Sequence, residues 1–157
     1  QAEDGIRDLI VTGVQTCARP IAVISAELAK KIGDELTLEH FAQYDHGLVT
    51  VEGVGEGFVD VAMREIGLRR KVIARLPSFM LVPDICVQRD IIFTVPRHIV
   101  KTFPDDIGLQ YYAPPITLPS PSSYLYWHGR NHSNPINIWF RKLIFECNAA
   151  ISDDDNA

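Results

Sequence analysis

The sequence predicts an α/β domain, and three observations carry that prediction. Short runs rich in β-branched and aromatic residues, GLVTVE (47–52), KVIARL (71–76) and IIFTV (91–95), have the length of strands. Between them lie stretches whose apolar residues recur every three or four positions, as on one face of a helix. The composition, 46% hydrophobic and 22% charged, is that of a globular chain able to build a core.

The elements follow in order. Residues 36–44 open at Thr37, whose hydroxyl can accept an N–H of the first turn, and read as a short helix. GLVTVE is a compact apolar strand, and Gly53, Gly55 and Gly57 make a flexible turn. Residues 58–66 carry Val59, Ala62, Met63 and Ile66 at helical spacing, and Gly67 stands where a helix C-terminus favours a left-handed residue. KVIARL is the next strand. In PSFMLVPDICVQRD, Ser78 can cap a helix bearing Phe79, Val82, Ile85 and Cys86. Pro83 would remove a hydrogen bond beyond the first turn, which moves the expected start towards Val82. IIFTV reads as a buried strand, ended by Pro96, which opens a short helix running to Phe103. Residues 109–112 form another strand. PPITLPSPSS (114–123) is extended and proline-rich, suited to a crossover. YLYWH (124–128) is a strand. Asn134 then caps, and Pro135 starts, a last helix with Ile136, Trp139, Phe140, Leu143, Ile144 and Cys147 on a wide apolar face that has to dock on something. Residues 150–157 read as a disordered tail.

Charge and cysteine usage exclude several function classes. The net charge of -5 argues against this piece gripping nucleic acid by its phosphates, which takes a basic footprint. Three widely spaced cysteines, Cys17, Cys86 and Cys147, form neither a disulfide framework nor a zinc pattern. Cys86 and Cys147 sit among apolar residues and read as small buried hydrophobes, in keeping with a reducing cytoplasm. No apolar run approaches the roughly 20 residues of a membrane helix, so no membrane partner is expected. The N-terminus does not read as a signal peptide.

Catalytic motifs are sparse. His128 and His132 in WHGRNH are spaced to share a helix face, but Gly129 and Asn134-Pro135 make the segment a loop and no third ligand follows, so no metal is expected. Asp45-His46 reads as a turn beside a strand rather than an acid–base dyad. GVGEG (53–57) resembles phosphate-binding loops, because bare backbone N–H groups can face an anion. It lacks both the GxGxxG fingerprint and the P-loop lysine. No GxSxG elbow exists, and Ser78 is better placed as a cap than as a nucleophile. Pro77-Ser78-Phe79 lies between a strand and a helix, where open α/β sheets bind ligands. Free N–H groups there suit a carboxylate, and Phe79 can supply an apolar wall.

The first residues read differently. QAEDGIRD is the in-frame translation of caagcagaagacggcatacgagat, the start of a sequencing-library adapter primer. VTGVQTCA with PI after Arg19 resembles the translation of that primer's other end, Leu9 and Ile10 occupying the place of the index. Arg19 departs, standing where the primer encodes leucine. Residues 1–21 are therefore expected to carry no native fold, with the gene's own reading frame entering at Ala22. Without them two basic and three acidic side chains go, leaving a net charge of -4 and the same exclusions.

Six strings together resemble the effector-binding domain of LysR-type transcriptional regulators, in the NodD-like branch. They are GDELTLEHFA (33–42), GFVDVAMREIGLRRKV (57–72), LPSF (76–79), RDIIFTVPRHIV (89–100), YYAPPITLPSPSSYLYWHGR (111–130) and NPINIWFRKLIFE (134–146), in order across nearly all of 22–149. The resemblance implies a periplasmic-binding-protein-like (type 2) fold of two α/β lobes, truncated here. Residues 22–114 would form lobe two, and 115–149 the crossover and return to lobe one with its last strand and helix. The winged helix-turn-helix, the linker helix and the first half of lobe one would lie outside the chain. The resemblance further implies an inducer held between lobes, with Pro77, Ser78 and Phe79 at a helix start and Thr94 and Pro96 at a strand end as effector-binding residues. It implies no catalytic residue and no cofactor. The implied partners are a small-molecule inducer, aromatic or acidic, DNA through the absent N-terminal domain, and further copies of the full-length parent in a dimer or tetramer. Asn134 stands where the family has aspartate, and either residue caps a helix.

Two other readings stay open on the residues alone. A transporter's solute-binding protein shares the two-lobed fold, and upstream sequence separates the two: a helix-turn-helix in one case, a secretion signal in the other. An α/β enzyme would use the glycine-rich segment 53–57, though no carboxylate stands out as its catalytic group. The last helix, with Trp139 and Phe140, is expected to drive association of the fragment if its partner sheet is missing.

Overall fold

The computed structural model describes residues 9–14, 19–50, 53, 55–119 and 123–154. In chain order its strands and α-helices are β1 (Leu9–Val14), β2 (Pro20–Ser25), α1 (Ala26–Ile32), α2 (Leu38–Gln43), β3 (Asp45–Val49), α3 (Phe58–Glu65), β4 (Lys71–Leu76), α4 (Val82–Cys86), β5 (Ile91–Pro96), α5 (Arg97–Val100), β6 (Leu109–Tyr112), β7 (Ser123–His128) and α6 (Pro135–Asp154). They fall into two compact units, Arg19–Pro119 and a smaller one formed by β1, β7 and α6.

The larger unit is built on a five-stranded sheet in the order β4-β3-β5-β2-β6. β3 runs parallel to both β4 and β5, whereas β2 is antiparallel to β5 and β6. The central strand β5 is buried from Ile91 to Val95, which explains why its sequence is a near-continuous apolar run, broken only by Thr94, rather than an alternating one. Alternation sorts its side chains onto two cores. Ile91, Phe93 and Val95 pack with Ile21, Val23, Val82 and Cys86 on one face, and Ile92 packs with Ala22, Ile24, Leu28, Phe41 and Met63 on the other.

Several expected elements recur where the sequence places them. Thr37 caps α2, its hydroxyl accepting the His40 N–H at 3.3 Å. Strands 71–76 and 109–112 have the expected limits. Pro83 lies in the first turn of α4, where its missing N–H leaves no helical bond unmade.

Four expectations are corrected. The strand expected at 47–52 is Asp45–Val49, because His46 is buried and the ladders to β4 and β5 begin at Asp45; Val51 and Glu52 lie outside the described residues. β2 and α1 had no counterpart in the sequence reading. Opening the chain at Ala22 removes Pro20 and Ile21, which pair with Pro96 and Val95, and leaves too short a run to signal a strand. Cys86 is buried, but Cys147 is exposed on α6. α6 itself runs to Asp154, five residues into the expected tail.

In the smaller unit β1 pairs antiparallel with β7. Residues 9–14, read as adapter sequence, thus take strand form. LIVTGV is rich in β-branched residues, and ladder pairing asks nothing more of a strand than backbone groups and such side chains. Asn134 Oδ1 accepts the N–H groups of Ile136 and Asn137 at 3.0 and 3.2 Å, capping α6. The Arg141 guanidinium lies 4.4 Å from the Trp127 ring centre and donates to the His132 carbonyl at 2.8 Å, tying α6 to the loop after β7. Ile136, Trp139 and Phe140 are more than half exposed.

Candidate functional site

The parallel relation of β3, β4 and β5 brings their carboxyl ends to one edge of the sheet, where β2 begins and β6 ends. All five residues singled out above lie at this edge. Pro77 follows β4 and, lacking an N–H, cannot extend the ladder. Ser78 is extended and its Oγ accepts the Met80 N–H at 3.3 Å, opening a single 3-10 turn, Phe79–Leu81. Pro77 and Ser78 are exposed; Phe79 is half-buried and packs on the core that contains Val95. Pro96 pairs with Pro20 and precedes α5.

Thr94 differs from the other four. It pairs with Ala22 and is 9% exposed, and its Oγ1 is buried without a hydrogen-bond partner. A buried hydroxyl left unpaired costs about 1–3 kcal/mol, so it has a standing demand for a partner. Alternation along β5 puts Thr94 on the face of Ile92, whereas Phe79 belongs to the face of Phe93 and Val95. One sheet edge therefore gathers the five residues, but they divide between its two faces.

The histidines are placed structurally. His46, expected in a turn beside the strand, is fully buried in β3, and its Nε2–H donates to the Phe41 carbonyl at 2.6 Å. Burial pushes its pKa down to about 4, opposed by the Phe41 bond, so the ring is neutral at pH 7. Its aspartate neighbour pairs instead with Lys71 at 2.9 Å. His128 caps the turn after β7 by accepting the Arg130 N–H, and His132 stacks on Trp127 while accepting its indole N–H at 3.3 Å. No group of three or more metal-ligating side chains occurs among the described residues. Burial raises the Cys86 thiol to about 12, far from a reactive thiolate.

His46 gives a pH prediction. Its folded pKa lies below its unfolded value, so the unfolded chain takes up the proton first, and stability falls as pH drops from about 6.5 towards 4. At about 1.4 kcal/mol per unit the full loss is about 3 kcal/mol. Urea unfolding at pH 7 and pH 4.5 should show most of this loss in the native chain, and a much smaller one in His46→Gln, which keeps a donor for Phe41.

The sequence reading missed a second polar feature. Asp60, on the first turn of α3, holds Arg70 in a bidentate pair at 2.7 and 2.9 Å and accepts the Gly57 N–H at 2.7 Å. The signal was present as an aspartate three residues after Gly57 and arginines just after Gly67, but ten residues separate the partners and only the turn shows that they meet.

Comparison with known proteins then bears on this geometry. The profile of the LysR substrate binding domain matches residues 18–146. The chain is similar to the HTH-type transcriptional activator NahR of Pseudomonas putida, 34% identical over 113 residues, covering 72% of this chain and 38% of that protein. It is also similar to nodulation protein D 3 of Rhizobium leguminosarum bv. phaseoli, 31% identical over 118 residues, covering 74% of this chain and 39% of that protein. Among solved structures, the regulatory domain of MexT, a transcriptional activator in Pseudomonas aeruginosa, superposes with a TM-score of 0.77 at 25% identity, covering 89% of this chain and 66% of that one. The chain spans about two fifths of the length of the curated relatives it matches. Among the described residues no helix is long and apolar enough to cross a membrane.

Proposed function

The chain belongs to the LysR substrate-binding-domain family, and from that premise we propose that it serves as part of the ligand sensor of a cytoplasmic transcriptional regulator. In this reading residues 22–114, which fall within the unit Arg19–Pro119, are lobe two, and 115–149, with β7 and most of α6, are the crossover and return to lobe one. A small aromatic or acidic inducer binds at the carboxyl edge of the sheet, with Pro77, Ser78, Phe79, Thr94 and Pro96 as its contacts. The parent protein reaches DNA through a separate N-terminal domain and works as a homo-oligomer. The sensor catalyses no reaction. Its output is a shift between two conformations, limited in size by the inducer's differential affinity for them. No observation favours the transporter reading, whereas NahR and MexT are named as transcriptional activators.

The observation that carries the site is Thr94, whose buried hydroxyl at the sheet edge has no partner among the described residues. A ligand oxygen that satisfies it gains a hydrogen bond without displacing one. Thr94→Val should therefore weaken binding of benzoate and hydroxybenzoates about tenfold, or about 1.4 kcal/mol, while leaving stability equal or slightly higher because the orphan is gone. Titration followed by NMR line broadening, beside thermal melts, reads both quantities, and Thr94→Ser should retain binding. Equal affinity in Thr94→Val and the native chain would remove Thr94 from the site.

A further inference from the structure

An open groove of about 380 Å³ lies between α3, the segments before and after it, and β4. Four guanidinium groups line it, those of Arg64, Arg69, Arg70 and Arg75, against two carboxylates, Glu56 and Asp60. The groove is thus locally cationic in a chain whose net charge is -5. Both carboxylates are already engaged. Asp60 holds Arg70, whose side chain is only 1% exposed, and Glu56 pairs with Arg64. Arg75 donates one N–H to the Gly55 carbonyl at 3.1 Å, which fixes its head group and leaves its other donors open. Arg69 is exposed and makes no hydrogen bond or ion pair among the described residues. Two guanidinium groups with unfilled donors therefore share one groove, backed by an immobile third.

We propose that this groove binds a phosphate monoester with a polar, hydroxyl-bearing body, its phosphate held by Arg69 and Arg75. Guanidinium groups present parallel N–H pairs that match phosphate oxygens, and two of them meet the charge of a dianion. Among the described residues Val72 is the only apolar side chain lining the groove, which favours a polar ligand body over an aromatic or aliphatic one, and the second oxygen of Glu56 can still accept from a hydroxyl. The glycine-rich segment before α3, which has no nucleotide fingerprint, enters the site through Gly55. There its φ of 92° turns the chain so that its carbonyl meets Arg75.

Calorimetric titration of the full chain with glucose 6-phosphate, inorganic phosphate, sulfate and succinate at about 20 and 200 mM salt tests the assignment. Glucose 6-phosphate should bind most tightly, inorganic phosphate next, both weakening with salt. Arg69→Ala with Arg75→Ala should lower affinity at least tenfold at an unchanged melting temperature, the two lysine replacements should recover part of it, and Lys30→Ala, outside the groove, should change nothing. Unchanged binding in the double alanine variant would overturn the site. Equal affinity for sulfate or succinate would overturn the ligand class. The proposal is independent of the inducer site, since Thr94→Val should leave these titrations unaltered.

Discussion

Gly47→Ala is expected to destabilise the larger unit by about 3 kcal/mol, and Gly47→Val to abolish cooperative unfolding. Gly47 of β3 stands opposite Phe93 of β5, and the Phe93 ring fills the space a side chain would take. A Cβ at Gly47 would lie 2.0 Å from both Cε1 and Cζ of that ring, far inside contact distance. Neither partner can yield easily, since Gly47 is a buried strand residue and Phe93 is fully buried in the middle of the core. Phe93→Ala alone should cost about 4 kcal/mol through the cavity it leaves. The two positions should not be additive: Phe93→Leu placed in the Gly47→Ala background should restore part of the loss, because a smaller side chain vacates the volume the new methyl needs. Chemical denaturation of the four chains completes the cycle. A Gly47→Ala chain with native stability would show that the ring does not occupy this position.

Asp60→Ala should cost about 3 kcal/mol or more, a second large effect with a different origin. Burial alone would push the Asp60 carboxyl up, but hydrogen bonds from Arg70 and the Gly57 N–H outweigh it and hold it below its ordinary value. Removing the carboxylate leaves the Arg70 charge buried without a counter-ion, the costly way to break such a pair. The N-terminal turn of α3 also loses the group that accepts from Gly57. Arg70→Met, which leaves no stranded cation and can fill the stem's volume, should cost less than Asp60→Ala. Thermal melts of both variants give the comparison, and the reverse order would contradict the pairing. The acid dependence of Asp60 is separable from that of His46. A depressed carboxylate loses its contribution only as pH falls below about 4, whereas His46 acts between about 6.5 and 4.

Much of the fold was legible because strong local signals coincided with the elements. Thr37 and Asn134 are side-chain caps, Pro83 lies in the first turn of its helix, and IIFTV is apolar because both faces of β5 are covered. What escaped depends on partners distant in sequence. Nothing local marks His46 as a strand residue, since its burial comes from Phe41 and the flanking strands. Gly47 falls within an expected strand, but nothing local shows that its missing side chain makes room for the Phe93 ring. Pro20–Ser25 escapes because its first two residues belong to the stretch that resembles adapter sequence, and the four that remain are too few to signal a strand. The five proposed contacts were found by element type and by resemblance, which placed them at the strand ends. Which face of the sheet each one serves follows only from the register of β5 with its neighbours.

The most direct test of the sensor reading is transcription from a reporter under a hybrid NahR, in which the 113-residue segment of this chain similar to NahR replaces its counterpart there. The expected result is reporter output that changes severalfold with at least one small aromatic or acidic compound, and a dose response displaced to about tenfold higher concentration in the Thr94→Val hybrid. A hybrid that accumulates and binds its promoter, yet gives the same output with every compound tried, would contradict the account.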